Sequence, residues 1–152
     1  MKVYIGADYR GFEAKKRLLA YLQEHGYEVV DVGSYQGTEE NDFNDAAITA
    51  ALAIRGHKAS VGVFGILICD SAHGMTMQAN RFKGIRAAHC STPESAKLAR
   101  QHDDANVLCL SAHFMDEKTM EKITEVFLNT KFEALERRLK RITRLDERKD
   151  YD

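Results

Sequence analysis

The sequence of 152 residues predicts an α/β fold in one domain, with a parallel sheet covered by helices on both faces. Three observations predict it. Short β-type runs alternate strictly with segments of helical periodicity along the chain. The run Phe64–Cys69 is almost wholly apolar, which is typical of a strand buried on both faces in a parallel sheet. A single proline and the lack of any linker, repeat or low-complexity tract indicate one unit over 1–152.

The first half of the chain is predicted to form two strands, two helices and a loop before the apolar run. These are, in order, a strand over 2–6, a helix from Phe12 that ends at Gly26, a strand over 27–32, a polar loop over 34–44 and an alanine-rich helix over 45–55. Each regular segment ends at or next to a glycine, which is the residue that most readily leaves helical or extended geometry.

The second half continues the alternation. Its predicted elements are a helix from about Gly74 to Phe82, a strand over 85–89, a helix that opens at 91–94, a strand over 106–110, a helix capped by Asp116 and a last helix over 133–148. At 91–94 a capping box and an early proline both indicate a helix start. Because the strands of such a sheet are parallel, ligands are expected in the loops that follow their carboxyl ends.

Charge and composition exclude several classes of protein. The chain has 22 Lys and Arg against 23 Asp and Glu, so no global field favours nucleic acid or an anionic membrane. No apolar run approaches the roughly 18 residues of a membrane span, and the start turns polar too soon for a signal peptide. Three distant cysteines are an odd count, which favours reduced thiols in the cytoplasm over disulfides or a zinc site.

The residues after the central strand offer the strongest candidate for chemistry. Cys69 ends that strand before a turn into a helix, and the positive end of the helix dipole is expected to lower the pKa of its thiol. The alternative is that Cys69 is a small buried core residue. The turn 70–74 offers backbone N–H groups to an anion or is an ordinary connection. No nucleotide-binding glycine motif occurs in the chain.

Other titratable side chains have two interpretations each. None of the six histidines forms a ligand pair, so a metal site has little support. His102 and His113 flank the fifth strand, near ends where ligands are expected, and His73 lies in the turn, but any of them could be structural. Asp8 either caps the first helix or contacts a substrate hydroxyl.

The last helix carries two stripes. Its arginines at helical spacing suit an anion or form an ordinary solvated face: Arg137, Arg141, Arg144 and Arg148. A leucine stripe on the same helix indicates packing, which another subunit could provide.

Taken together, the chain resembles the ribose-5-phosphate isomerase B family, which includes the galactose-6-phosphate isomerase subunits. The similarity runs from Met1 to about Arg141 in order. Its strongest pieces are 65–69 through Ala79-Asn80 and then 84–88, and its supporting pieces are 6–8 with Gly11-Phe12, 99–103 and 105–108.

The resemblance implies a Rossmann-like three-layer sandwich with five parallel strands. It also implies isomerisation of an aldose phosphate to a ketose phosphate, by default ribose 5-phosphate to ribulose 5-phosphate, without metal or organic cofactor. Members form dimers or tetramers whose site is shared between subunits, so a homodimer or homotetramer is expected here. The C-terminal arm, about 131–152, would then pack on the partner.

The resemblance also assigns roles to positions. Cys69 matches the general base that moves a proton between C1 and C2, while Ser71 and His102 match residues linked to ring opening. Asp8 matches an aspartate on sugar hydroxyls, and Asn80 supports the loop. The N–H groups near His73 and Gly74 would hold the enediolate oxygen. The other expected substrate contacts are Tyr9, Asp70, Asp103, His113 and the partner's phosphate-binding pair at positions Arg137 and Arg141.

Several positions depart from the family pattern. The family usually reads Cys-Gly-Thr-Gly-x-Gly where this chain has 69–74, so two glycines are lost and a residue that needs positive φ is strained. Asp70 brings a carboxylate beside the thiolate, and its charge opposes that of the thiolate. Protonated His73 could neutralise the carboxylate by pairing with Asp70. Tyr9, His113 and Glu94 replace histidine, arginine and tyrosine, and Leu135-Glu136 replaces Gly-Gly.

These departures leave alternatives open. The chain could act on a different aldose phosphate, or it could be a non-catalytic or heteromeric-subunit paralogue that binds a sugar phosphate. A dinucleotide-binding protein on a similar sheet is disfavoured by the missing glycine fingerprint.

Overall fold

The computed structural model describes residues 1–33, 35–38, 42–57 and 61–147, which form five strands and six helices. The strands are β1 Lys2–Ala7, β2 Glu28–Asp31, β3 Val63–Cys69, β4 Ala87–His89 and β5 Val107–Ser111. The helices are α1 Phe12–Glu24, α2 Phe43–Ile54, α3 His73–Ala79, α4 Pro93–Asp103, α5 Glu117–Asn129 and α6 Glu136–Asp146. The predicted alternation of strands and helices up to the fifth strand is confirmed.

All five strands are parallel and lie in the order β2-β1-β3-β5-β4. The chain leaves β1 toward β2 on one side, whereas it leaves β3 toward β4 on the other. This reversal makes the β1/β3 boundary a topological switch point, and folds of this kind bind their ligands beyond the carboxyl ends of the strands at such a point. Ala7 pairs with Ile68 at that boundary, so the residues that follow β1 and β3 begin side by side.

Helices cover both faces of the sheet and give the predicted three layers. One apolar core lies between the sheet and α1, α4 and α5, and the other lies between the sheet and α2 and α3. Within β3, residues 64–69 are all buried, because alternate side chains enter the two cores. The expectation of a central strand covered on both faces is confirmed.

The start of α4 differs from the predicted capping box. Thr92, not Ser91, is the N-cap, and its reciprocal partner is Ser95 at 3.1 Å in each direction rather than Glu94. The reason is that Pro93 occupies the first helical position, which places the cap on the residue before it. Asp116 caps α5 as predicted, accepting from the N–H of Thr119 at 2.8 Å.

The last helix, α6, lies against α4 of the same chain. The N–H of Glu133 and the guanidinium of Arg138 both donate to the carbonyl of Gln101, at 3.1 and 3.2 Å. Predicted packing of this arm on a partner stays a prediction, and Arg148 lies outside the described residues. Across the described ranges, no helix combines the length and apolarity that crossing a membrane requires.

Gly11 allows the start of α1 to touch the end of β3. A Cβ at this position would lie 2.2 Å from the carbonyl oxygen of Ile68, so the backbone itself would have to move. We expect Gly11→Ala to lower the free energy of unfolding by about 3 kcal/mol or more, measured by urea denaturation. The control is Gly26→Ala, at φ +80° in open space, where only backbone strain of about 1 kcal/mol is expected. Equal losses in the two variants would contradict this view of Gly11.

Candidate active site

The carboxyl ends of three adjacent strands bring the first group of predicted residues together. Asp8 follows β1, Cys69 ends β3, and Ser111, which pairs with Cys69 in the sheet, ends β5. The Ser111 hydroxyl donates to the carbonyl of Asp70 at 2.6 Å and accepts from the N–H of Phe114 at 3.1 Å. These bonds fix the turn that follows Cys69 against the neighbouring loop.

Cys69 is only 4% exposed, and its Sγ accepts a hydrogen bond from the N–H of Ala72 at 3.2 Å. The predicted lowering of its pKa is wrong. Burial raises the pKa of the Cys69 thiol, and the negative charge of Asp8 raises it further, against the opposing effect of nearby backbone N–H groups. Removing the sulfur from water therefore outweighs the local N–H donors, and the thiol form is favoured at rest.

Ala72 carries the strain expected from the missing glycines. Its φ is +69°, in the left-handed region, and its side chain is fully buried. A left-handed alanine costs about 1 kcal/mol or more, so the surrounding packing must hold this conformation. The result is an N–H aimed at Cys69 just before α3 begins at His73.

Gly74, on the first turn of α3, faces a close neighbour. A Cβ there would lie 2.9 Å from the ring of Phe43 at the start of α2. The glycine therefore lets the N-terminus of α3 approach α2, and it keeps the turn in its observed place.

The prediction that Asp8 caps the first helix is wrong, because Gly11 is the N-cap of α1 and no side-chain hydrogen bond among the described residues caps it. Asp8 Oδ1 accepts instead from the N–H of Gly11 at 2.8 Å, which closes the turn between β1 and α1. Burial raises the pKa of this carboxyl, and the nearby charges of Asp70 and Asp42 raise it further. Contact with a sugar hydroxyl stays a prediction. Tyr9, next along the chain, is half-buried beneath the guanidinium of Arg10.

Asp70 pairs with His113 and not with His73 as expected. His113 Nδ1 lies 3.5 Å from Asp70 Oδ1, and both side chains are more than half exposed. The partner differs because β3 and β5 are neighbours, so the loop after β5 runs beside Asp70. The N–H of His113 also donates to the carbonyl of Asp70 at 3.1 Å. The ring of His73 instead packs edge-on against His89, at 5.6 Å between centroids.

His89 is a further titratable group at this edge, and it is not among the residues predicted for the site. It ends β4, and its Nε2 is buried without a hydrogen-bond partner among the described residues. Burial lowers the pKa of its imidazole, with a contribution from His73. Its place at the end of a predicted strand was the signal that could have identified it. Ser71 lies nearby, with its Oγ 3.5 Å from the N–H of His73.

The second group of predicted residues lies at the opposite edge of the sheet. His102 and Asp103 are exposed in the last turn of α4, which runs back toward the amino end of β5, and Arg137 and Arg141 are exposed on α6 beside it. The expectation that His102 lies near the ligand-binding ends is therefore wrong within one chain. Since β3 rises about 3.3 Å per residue, the two edges are about 20 Å apart.

Asn80 is also removed from the turn after Cys69. It caps the far end of α3 and exchanges two hydrogen bonds with the backbone of Ala87, at 2.8 and 2.9 Å. It therefore ties α3 to the edge strand β4 and does not support the loop as expected. Among residues that the structure describes, no three His, Cys, Asp or Glu side chains converge as a metal site would require.

The charges around Cys69 predict how its reactivity depends on pH. Because Asp8 opposes the thiolate, we expect Asp8→Asn to lower the pKa of Cys69 and to move the pH profile of its iodoacetamide alkylation toward lower pH. Mass spectrometry of the Cys69 peptide would follow the reaction. Glu28→Gln, at the amino end of β2, is the control and should leave the profile in place. A profile in Asp8→Asn that matches the native one would refute this electrostatic coupling.

Comparisons with known proteins identify the family. The family model described as Ribose/Galactose Isomerase matches residues 3–145. The chain is similar to ribose-5-phosphate isomerase B of Escherichia coli, with 36% identity over 151 residues that cover 98% of this chain and 99% of that protein.

Solved structures agree in fold and in sequence. The crystal structure of a ribose 5-phosphate isomerase from Thermotoga maritima superposes with a TM-score of 0.88 at 38% identity, covering 97% of this chain and 98% of that one. Ribose-5-phosphate isomerase B from Mycoplasma genitalium with bound ribulose-5-phosphate gives a TM-score of 0.88 at 36% identity, covering 95% and 93%. The chain therefore belongs to the ribose/galactose isomerase family.

Proposed function

We propose that this protein isomerises an aldose phosphate to a ketose phosphate, with ribose 5-phosphate as the default substrate and Cys69 as the base. The observation that carries the proposal is the position of Cys69 at the switch point, with Asp8 beside it and the N–H of Ala72 on its sulfur. A related structure holds ribulose-5-phosphate, which supports the substrate class. The expected cytoplasmic location stays a prediction, and all three cysteines are free thiols.

The proposed reaction moves one proton between adjacent carbons. The Cys69 thiolate takes the proton from C2 of the open-chain aldose, that C–H electron pair forms the C1=C2 bond, and the C1 carbonyl oxygen takes the negative charge of the enediolate. The proton of the C2 hydroxyl then passes to the oxygen on C1, the C2 carbonyl forms, and the C1=C2 electron pair takes the proton back from the Cys69 thiol at C1. Backbone N–H groups near His73 and Gly74 would stabilise the enediolate oxygen.

The raised pKa of Cys69 limits how much of the reactive thiolate is present and makes the rate depend on pH. At neutral pH most Cys69 is protonated, so the reactive thiolate is the minor form. The rate constant for proton abstraction should accordingly rise with pH until the thiol is ionised. Ser71 and His102 are proposed to open the sugar ring before this step, so that C2 becomes acidic.

The distance between the two edges of the sheet supports a site that a second copy completes. His102, Arg137 and Arg141 lie at the amino edge, about 20 Å from Cys69. A two-fold axis perpendicular to the strands places the amino edge of one copy beside the carboxyl edge of the other, which brings both groups together twice. We therefore propose a homodimer, alone or within a homotetramer, in which the partner supplies the phosphate-binding arginines.

Asp70 and His113 are proposed to set the substrate preference. A carboxylate at the mouth of the site repels a nearby phosphate and accepts hydrogen bonds from hydroxyls, so the phosphate should lie toward the partner. Tyr9 and Asp103 are proposed as further substrate contacts. The same carboxylate near Cys69 favours a second candidate, a non-catalytic or heteromeric-subunit paralogue that binds a sugar phosphate. Ketose formation by the purified chain alone, on any pentose or hexose phosphate of a panel, would eliminate that candidate.

Replacing the proposed base tests the chemistry directly. We expect Cys69→Ala to lower kcat for ribose 5-phosphate at least about a hundredfold, since general bases contribute on that scale. Loss of deuterium exchange at C2 should accompany it. Cys90→Ala, a buried thiol in the other core whose pKa burial raises to about 11, is the matched control and should retain most of the native kcat. An unchanged kcat in Cys69→Ala would exclude the role.

Mixing two inactive variants tests the shared site. Cys69→Ala and Arg141→Ala should each be nearly inactive, but in a mixed dimer one of the two sites carries both native residues. Random exchange of equal amounts should restore about a quarter of the native activity per subunit. No recovery, with subunit exchange shown by native mass spectrometry, would argue that the two residues do not share a site.

A further inference from the structure

The attachment of α6 to the body of the protein is unusual in its chemistry. Of Glu136–Asp146, all of which the structure describes, only Arg138 is buried. Leu139 and Leu145 are 47% and 65% exposed. Helices in proteins are mostly held by an apolar face, and an isolated helix of this length is marginal in water. Something other than apolar packing must therefore fix α6.

Beneath α6 lies a cavity of about 930 Å³ that separates it from the amino edge of the sheet. Its apolar lining includes Phe64 and Phe132 from the body and Leu139 and Ile142 from α6. The apolar face of α6 thus meets open space over part of its length, and little packing opposes its movement.

Two arginines hold the ends of the helix. Near the start, Arg138 donates to the carbonyl of Gln101 at 3.2 Å and pairs with the carboxylate of Glu133. At the other end, Nη1 of Arg86 donates to both carboxylate oxygens of Asp146, at 3.0 and 2.9 Å. Both contacts are charge-assisted, and such hydrogen bonds are stronger than those between neutral groups. The contact with Asp146 engages both carboxylate oxygens, although through one nitrogen of Arg86.

Arg86 is itself rigidly held. Its Nη2 donates to Oδ2 of Asp104 and its Nε to the carbonyl of Asp104, both at 3.0 Å. The backbone N–H of Arg86 donates to Oδ1 of the buried Asn106 at 2.8 Å. Asp104 is held in turn by Arg100, which is only 3% exposed, at 2.8 Å. The guanidinium that meets Asp146 is therefore anchored to the sheet edge.

We propose that Arg86 and Asp146 are positioning residues that set the placement of Arg137 and Arg141 on α6. The two arginines are exposed one turn apart, and the bidentate contact fixes the helix that carries them. This inference rests on the proposed function for its effect on substrate, because phosphate binding by Arg137 and Arg141 belongs to that proposal. The placement of α6 itself does not depend on it.

The test compares Asp146→Asn and Arg86→Met with the native protein. Losing the bidentate contact should raise KM for the sugar phosphate about tenfold and leave kcat within about twofold, because the cost falls on phosphate binding. A purely structural role would lower the active fraction, and hence kcat, at constant KM. Asp146→Glu should largely restore KM. The control is Lys122→Met, which removes an exposed ion pair with Glu125 on α5 and should change neither constant.

Hydrogen exchange separates this proposal from the proposed function. Amides of α6 should exchange about tenfold faster or more in Asp146→Asn than in the native protein, and at the native rate in Lys122→Met. Unchanged exchange in α6 would overturn the proposal, as would an unchanged KM in an active enzyme. If the native protein isomerises no sugar phosphate, the proposed function fails, and the exchange rates alone decide whether Arg86 and Asp146 hold the helix.

Discussion

The contact between the carboxyl ends of β1 and β3 is the constraint on which the rest of this structure depends. Gly11 lets α1 begin directly against Ile68, and the hydrogen bond from the N–H of Gly11 to Asp8 closes the turn at that junction. Cys69 is the residue after Ile68, and it is buried beside α3 and the loop that follows β5. The switch point of this parallel sheet therefore places a thiol beside a carboxylate.

The pKa of Cys69 depends on a balance between burial, which raises it, and backbone N–H groups, which lower it. Ala72 keeps a left-handed conformation that points its N–H at the sulfur, yet burial and Asp8 together keep the pKa of Cys69 above its ordinary value. In the proposed reaction, this thiol must lose its proton before it can take one from carbon. Asp70 adds charge at the mouth, and its pairing with His113 limits that charge whenever the imidazole is protonated.

The two groups of predicted site residues lie at opposite edges of the sheet. Cys69 and its neighbours occupy the carboxyl edge, while the cationic helix α6 and the last turn of α4 occupy the amino edge. Rigid strands keep the two groups apart within a chain, which is why the proposed site includes a second copy. The arginine network around Asp104 then gives the amino edge a fixed helix in spite of the cavity beneath it.

The sequence by itself determined the layers, the central strand, the cap at Asp116 and the family, because periodicity, turn residues and motif order are local properties. It also identified Cys69 and the strain at the missing glycines. Only the tertiary structure decided the sign of the Cys69 pKa shift, the partner of Asp70, and the separation of His102 and Asn80 from the turn. Those depend on burial and on which strands are neighbours, and strand order is set by contacts between residues distant in sequence.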